Sequence, residues 1–157
     1  MCIRDSFNDD GNIDLIWGGG YNDPGQDDGR LDGLTILWGS GDGNFSLDNS
    51  SEVFGNGELL NMGADDFVFY DLNNDNNLDV INLSWNQSNS RINIFSGSED
   101  YTFTNVTSEW IESSETDKVW VWLMLRDLDK DGYIELYDPS QYNGQKFEWN
   151  GSKFAKD

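Results

Sequence analysis

A nine-residue, Asp-rich pattern recurs three times along the chain and constrains the fold more than any other feature. The copies run from Ser6 to Asp14, from Asp71 to Asp79 and from Asp127 to Glu135. Their starting residues, 6, 71 and 127, lie 65 and then 56 residues apart. In each copy, polar residues with side-chain oxygens stand at positions 1, 3, 5 and 9, and an apolar residue stands at position 8. Self-similarity at this spacing predicts a repeat protein.

Apolar segments around the loops favour β-strands. The runs Phe67–Tyr70 and Val119–Leu125 precede the second and third loops, and their aromatic and β-branched residues lack helix caps. Further strands are predicted after the loops, at 14–17, 79–83 and 135–137, and again at 34–38, 91–95 and 145–149. About four strands in roughly 60 residues is the content of one propeller blade. We therefore predict an all-β chain of about two and a half four-stranded antiparallel blades.

The composition excludes several classes of function. The 157 residues include 30 acidic and 9 basic ones, for a formal net charge of −21, so repulsion argues against nucleic acid and anionic membranes as partners. The chain has no histidine and one cysteine, Cys2. These counts exclude Ser-His-Asp and Cys-His catalysis, histidine-based zinc sites and an internal disulfide. No apolar run is long enough to span a bilayer, so we expect no membrane insertion.

The three loops carry the oxygen donors that calcium prefers. Ca²⁺ takes 6–8 oxygen ligands, and side chains at positions 1, 3, 5 and 9 can converge on one ion together with the carbonyl of position 7. The pattern predicts these ligands: Asp127, Asp129, Asp131, Tyr133 and Glu135 in the third loop; Asp71, Asn73, Asp75, Asn77 and Asp79 in the second; Ser6, Asn8, Asp10, Asn12 and Asp14 in the first. Because the number of carboxylates falls from the third loop to the first, we expect calcium affinity to fall in the same order. The alternative for each loop is a turn held only by its own side-chain-to-backbone hydrogen bonds.

The third loop also fits a second calcium motif. Residues 127–138 match an EF-hand loop with Asp138 at the twelfth position. An EF-hand needs a helix on each side of the loop. The alternation of valine and tryptophan before the loop and Pro139 after it argue against such helices, so we expect strands on both sides.

The loops and the turns that follow them resemble a known family. The pattern D-x-[DN]-x-[DN]-G-x-x-D before an apolar strand, with the later turn Gly39-Ser40-Gly41-Asp42-Gly43-Asn44-Phe45, is similar to FG-GAP/VCBS-type repeats, which include the integrin α-subunit propeller. The resemblance covers residues 6–154, and it departs from the family pattern at Ser6, Asn76 and Glu135. It implies a β-propeller with calcium in loops along one rim and partners bound on another face.

This resemblance sets the expected domain organisation. We expect residues 1–157 to form a partial propeller, with repeat units at about 6–66, 67–118 and 119–157. Open blades expose sheet edges, so we expect the chain to be a fragment whose remaining blades belong to a longer parent protein. The first residues match no signal-peptide pattern, and we expect the start to be truncated. Because weak calcium loops suit the calcium concentration outside cells, we expect an extracellular or cell-surface location.

The expected function is a non-catalytic, calcium-binding scaffold for adhesion or for binding a protein or carbohydrate ligand. One alternative is the propeller part of a secreted polysaccharide-acting enzyme, since two carboxylates suffice for glycoside chemistry, although no pair stands out among 30 acids. Another is carbohydrate binding through Trp17, Trp85 or Trp110, for which core packing between blades is the competing interpretation. Trp120 and Trp122 are expected in the core.

Overall fold

Twelve short strands, one 3₁₀ turn and one short α-helix are the regular elements of the part of the chain that the structure describes. The structure is a computed structural model, and it describes residues 3–4, 6–18, 33–54, 63–85, 90–112, 122–140 and 146–156. The strands are β1 Ile3–Arg4, β2 Asp14–Gly18, β3 Leu34–Leu37, β4 Ser50–Phe54, β5 Gly63–Tyr70, β6 Asp79–Trp85, β7 Ser90–Gly97, β8 Phe103–Asn105, β9 Met124–Arg126, β10 Glu135–Tyr137, β11 Lys146–Trp149 and β12 Phe154–Lys156. A 3₁₀ turn at Leu47–Asn49 precedes β4, and helix α1 spans Thr107–Trp110. None of these helical segments has the length and hydropathy that a membrane crossing needs.

The strands form three separate four-stranded sheets in chain order. The sheets are β1-β2-β3-β4, β5-β6-β7-β8 and β9-β10-β11-β12, and every pairing within them is antiparallel. Each Asp-rich loop joins the first and second strands of its sheet. We refer to the sheets below as blades one, two and three. The all-β class and the antiparallel four-stranded blades are therefore confirmed, and the third unit also forms four strands instead of half a blade.

Two apolar layers lie between the blades because the central strands are buried on both faces. Along β6, Val80 joins a cluster with Ile16, Ile36 and Phe54 of blade one. The alternate residue Ile81 joins a cluster with residues of blade three such as Leu136 and Phe147. Adjacent side chains of a strand point to opposite faces, so blade two has one blade packed against each face.

Aromatic side chains fill both layers. Phe54 of β4 stacks on Phe95 of β7 with ring centroids 5.2 Å apart, and both rings are buried. On the other side of blade two, Trp149 contacts Trp110 and Phe154, each with a centroid separation of 5.1 Å. Sheets stacked face to face bury such large side chains, so aromatic packing joins each blade to the next.

Several strand boundaries differ from those predicted. The strand expected at Val119–Leu125 begins only at Met124, and residues 119–121 lie outside the described residues. The first blade contains a strand, β1, that lies before the predicted start of its repeat unit at residue 6. The division into units at 6–66, 67–118 and 119–157 stays a prediction. Strands β9 and β10 flank the third loop, which excludes the helix pair of an EF-hand.

Candidate metal sites

The second loop is closed at both ends by its own carboxylates. The Asp79 carboxylate, at position 9, accepts the backbone N–H of Leu72 at 2.8 Å through Oδ2 and that of Gly97 at 3.1 Å through Oδ1. The Asp71 carboxylate, at position 1, accepts the backbone N–H of Asn76 at 2.9 Å. Because these acids bind backbone groups across the loop, the chain curls around the space between them.

The same hydrogen bonds recur at equivalent positions of the other two loops. The position-2 amide donates to the position-9 carboxylate at 2.6 Å in both, from Phe7 to Asp14 and from Leu128 to Glu135. The position-7 amide donates to the position-5 carboxylate at 2.7–2.9 Å in all three loops, where the pairs are Asn12 with Asp10, Asn77 with Asp75, and Tyr133 with Asp131. The three loops therefore share one backbone conformation, which the sequence pattern alone only suggested.

The first loop differs from the other two in the hydrogen bond made at position 1. Asp71 and Asp127 accept the amide of position 6 at 2.9 and 3.1 Å. Ser6, in the first loop, instead donates its hydroxyl to Asn8 at 3.0 Å. A hydroxyl adds no negative charge, so the first loop has the weakest set of ligands for a divalent cation.

Two positions of every loop adopt the left-handed backbone conformation. Position 6 does so at Gly11, Asn76 and Gly132, with φ values of 79°, 67° and 96°. Position 4 does so at Asp9, Asn74 and Lys130, with φ values of 56°, 58° and 67°. Gly, Asn and Asp adopt this region at the lowest cost. The glycine at position 6 of the repeat pattern indicates this need in the sequence, whereas no glycine marks position 4.

A glycine that ends the third strand in blade two, and that stands two residues after the third strand in blade one, lets the position-9 carboxylate be buried. Asp14 and Asp79 are fully buried, and each accepts a backbone N–H from this glycine, Gly39 at 2.9 Å and Gly97 at 3.1 Å. A Cβ at Gly97 would overlap the carbonyl oxygen of Leu78, and one at Gly39 would overlap the corresponding oxygen of Ile13. Only glycine allows this approach, and sequence reasoning did not assign it a role in the loops.

Blade three replaces this arrangement with a different pair of residues. Trp149 occupies the position that Gly97 has in blade two, and its backbone N–H donates to the carbonyl of Ile134 at 2.9 Å instead of to the acid. The acid is Glu135, 2 % exposed and one methylene longer than aspartate. The departure from Asp at position 9 thus accompanies the loss of the glycine amide in the same blade.

The third loop brings three predicted ligands together. One carboxylate oxygen from each of Asp127, Asp129 and Glu135 lies within 4.8 Å of the others. Two oxygens that each lie about 2.4 Å from the same Ca²⁺ can be at most about 4.8 Å apart. The three carboxylates are therefore close enough to share one ion. Among the described residues, groups of three such acids occur only at this loop and the neighbouring strand β11.

An unpredicted acid extends the cluster. Glu148 of β11 forms a second group with Asp129 and Asp131 under the same 4.8 Å criterion, and it lies opposite Glu135 in the strand register. Like charges directly opposite on neighbouring strands are destabilising, and a bound cation would relieve that repulsion. Glu148 was missed because it belongs to a strand 13 residues after Glu135, and only the pairing of β10 with β11 brings the two together.

The electrostatics of the loops differ with burial. Burial raises the pKa of Asp79 from 3.8 to about 6. The backbone amide of Asn12 holds the pKa of the exposed Asp10 below its usual value. A buried carboxylate is stabilised in its charged form by any cation placed beside it, so Asp79 gains more from a metal than an exposed acid does.

The structure gives mixed outcomes for the tryptophans considered as sugar-stacking residues. Trp17 is 47 % exposed, whereas Trp110 packs on Trp149 in the layer between blades two and three. The expectation that Trp122 is a core residue is wrong, because 56 % of its surface is exposed. Trp120 and the side chain of Trp85 lie outside the described residues.

The fold and the loops define a class of protein: repeated four-stranded antiparallel blades with an Asp-rich loop between the first two strands of each. The family model of the FG-GAP-like repeat matches residues 71–137. This range runs from the start of the second loop to the end of β10, and it confirms the presence of an FG-GAP-type repeat. Comparison with curated proteins and with solved structures gives no match.

Proposed function

We propose that the chain is part of a calcium-stabilised, non-catalytic β-propeller scaffold that acts outside the cell in adhesion or ligand binding. The observation that carries the proposal is the convergence of Asp127, Asp129 and Glu135 within 4.8 Å in a loop whose backbone bonds recur in all three blades. The donors are all oxygen, which suits a hard cation such as Ca²⁺ and not a thiolate- or imidazole-binding metal.

The third loop fits calcium best and the first loop least well. Four loop carboxylates and the Tyr133 carbonyl would supply five protein ligands, and Glu148 or water would complete the 6–8 that Ca²⁺ takes. The second loop offers three carboxylates with the Asn73 amide oxygen, and in the first loop Ser6 stands where the others have Asp. Bound calcium would neutralise acids that otherwise repel one another and would fix the edge where the first two strands of a blade meet.

The location and the partner follow from this proposed role. Calcium loops of moderate charge suit the millimolar calcium found outside cells. A chain of net charge −21 also carries a field that disfavours anionic partners, so the ligand would be a protein or an uncharged carbohydrate.

A nearly isosteric substitution that removes charge separates a calcium site from a simple turn. Asp129→Asn/Asp131→Asn keeps the side-chain oxygens that accept the amides of Asp131 and Tyr133 at 3.2 and 2.9 Å but removes two charged ligands. Asn already occupies position 3 in the other loops, as Asn8 and Asn73. We expect the variant to melt like the wild type in chelator and to bind one fewer calcium ion by calorimetric titration.

The matched control is Asp48→Asn/Glu109→Gln, which removes two exposed acids outside the loops. This control should bind as many calcium ions as the wild type. An unchanged ion count in the loop variant, or no calcium binding by the wild type, would overturn the proposal and leave the loops as turns.

A further inference from the structure

A small aromatic cleft lies between blades one and two, next to the first two loops. Its volume is about 150 Å³, and its walls include Phe7 and Trp38 from blade one and Phe69 and Tyr101 from blade two. The rings pair across the interface, Phe7 with Phe69 and Trp38 with Tyr101, each with centroids 4.8 Å apart. Tyr101 is 43 % exposed and offers part of its ring to solvent.

Two carboxylates stand at this cleft without partners. Asp9, at position 4 of the first loop, and Glu99, in the turn after β7, both line it and are both exposed. Within the described part of the chain, neither makes a hydrogen bond or an ion pair. No lysine or arginine is among the described residues of the lining, so the cleft combines π faces with uncompensated negative charge.

This charge is particular to the first loop. Position 4 is Asp9 there, but Asn74 in the second loop and Lys130 in the third, although all three share the left-handed conformation. The backbone therefore does not require an acid at this position. Asp9 is also outside the predicted ligand positions 1, 3, 5, 7 and 9, so calcium binding gives no reason for it.

We propose that the cleft binds the guanidinium group of an arginine side chain presented by a protein or peptide partner. A weakly hydrated, planar cation stacks on aromatic faces and pairs with carboxylates. A volume of about 150 Å³ suits one side-chain head group and falls below the roughly 300 Å³ of pockets that enclose larger small molecules. The net charge of −21 adds long-range attraction for a cationic partner.

The test uses two peptides that differ only in charge. Acetyl-Gly-Arg-Gly-amide and its citrulline analogue, which is neutral and nearly isosteric, are titrated to millimolar concentrations while the signals of Trp38 and Tyr101 are followed by NMR. We expect the arginine peptide to shift these signals and the citrulline peptide to bind about tenfold more weakly. Binding should weaken as salt is added.

Variants connect the binding to the cleft. Asp9→Asn/Glu99→Gln should weaken arginine binding about tenfold, and Asn is compatible with the backbone at residue 9 because Asn74, at the same loop position 4, adopts the same conformation. The charge-matched control Asp48→Asn/Glu109→Gln should bind like the wild type. Both peptides are titrated in calcium and in chelator, so that arginine binding is tested independently of the proposed calcium sites.

Three results would overturn the proposal. They are equal binding of the two peptides, equal losses in the cleft variant and the control, and no shift of the cleft signals in either calcium condition. A shift produced by methyl glucoside but not by the arginine peptide would instead make the cleft a carbohydrate site.

Discussion

Replacing Gly97 by alanine tests the role of the glycine that ends the third strand of blade two. A Cβ at this position would overlap the Leu78 carbonyl oxygen, which is a backbone atom and cannot rotate away. Restoring ordinary contact would push β7 away from the loop and stretch the 3.1 Å bond from the Gly97 amide to the buried Asp79 carboxylate.

The cost follows from two terms. Losing a hydrogen bond to a buried carboxylate costs about 1.5–3 kcal/mol, and relieving the overlap costs about 1–3 kcal/mol. Alanine also lowers the conformational entropy of the unfolded chain, and this offsets less than about 1 kcal/mol of the loss in stability. We therefore expect a net loss of about 2–5 kcal/mol, or roughly 10 °C in melting temperature for a chain of this size.

The assay is urea unfolding in chelator, followed by tryptophan fluorescence, with Gly43→Ala as the control. Gly43 has a φ of 80°, and a Cβ there would meet nothing within 4 Å, so that variant suffers backbone strain alone, about 1–2 kcal/mol. A loss for Gly97→Ala no larger than that for Gly43→Ala would refute the reasoning.

Three other predictions concern the core, the loop backbone and the buried acid. Phe54→Ala, which removes the ring stacked on Phe95 at 5.2 Å, should cost about 3–5 kcal/mol in urea unfolding; a loss below about 1 kcal/mol would contradict the packing between blades one and two. Asn76→Gly should leave stability within about 1 kcal/mol of the wild type, whereas Asn76→Val should lose about 1–2 kcal/mol or more, because φ is 67° there; equal melting temperatures for the two variants would argue against the left-handed backbone. The pKa of Asp79 is raised from its ordinary 3.8 to about 6 in the folded chain, so the folded state binds more protons than the unfolded state between these pH values. The free energy of unfolding in chelator should therefore fall from about pH 4 to about pH 6, relative to that of Asp79→Asn. Parallel pH profiles for the two proteins would show that Asp79 has no raised pKa.

Much of the fold could be predicted because the informative residues are local. The Asp-rich loops and the apolar runs beside them fix where strands end and begin, and β10 coincides with the predicted 135–137. Within the described part of the strand predicted at 119–125, Trp122 and Leu123 precede β9, because an apolar run alone does not fix where strand pairing begins. Trp122 was expected in the core but is exposed, because the burial of a side chain depends on which parts of the chain pack against it.

The candidate sites also combine features that depend on local sequence with features that depend on contacts between distant segments. The ligand positions are set by spacing within nine residues, so the sequence alone suggests them. Glu148 depends on the pairing of β10 with β11, and the roles of Gly39 and Gly97 depend on the distance of closest approach between a turn and a loop. Asp9 and Glu99 meet at a cleft only because blades one and two pack together, and no pattern within either segment indicates it.

The most direct test of the account is the position of calcium in a crystal of this chain grown with millimolar CaCl₂, read from an anomalous difference map. We predict a peak in the third loop, bounded by Asp127, Asp129 and Glu135, and a weaker one in the second loop. A well-ordered third loop with no peak, or calcium found only outside the loops, would contradict the claim that these repeats are metal sites.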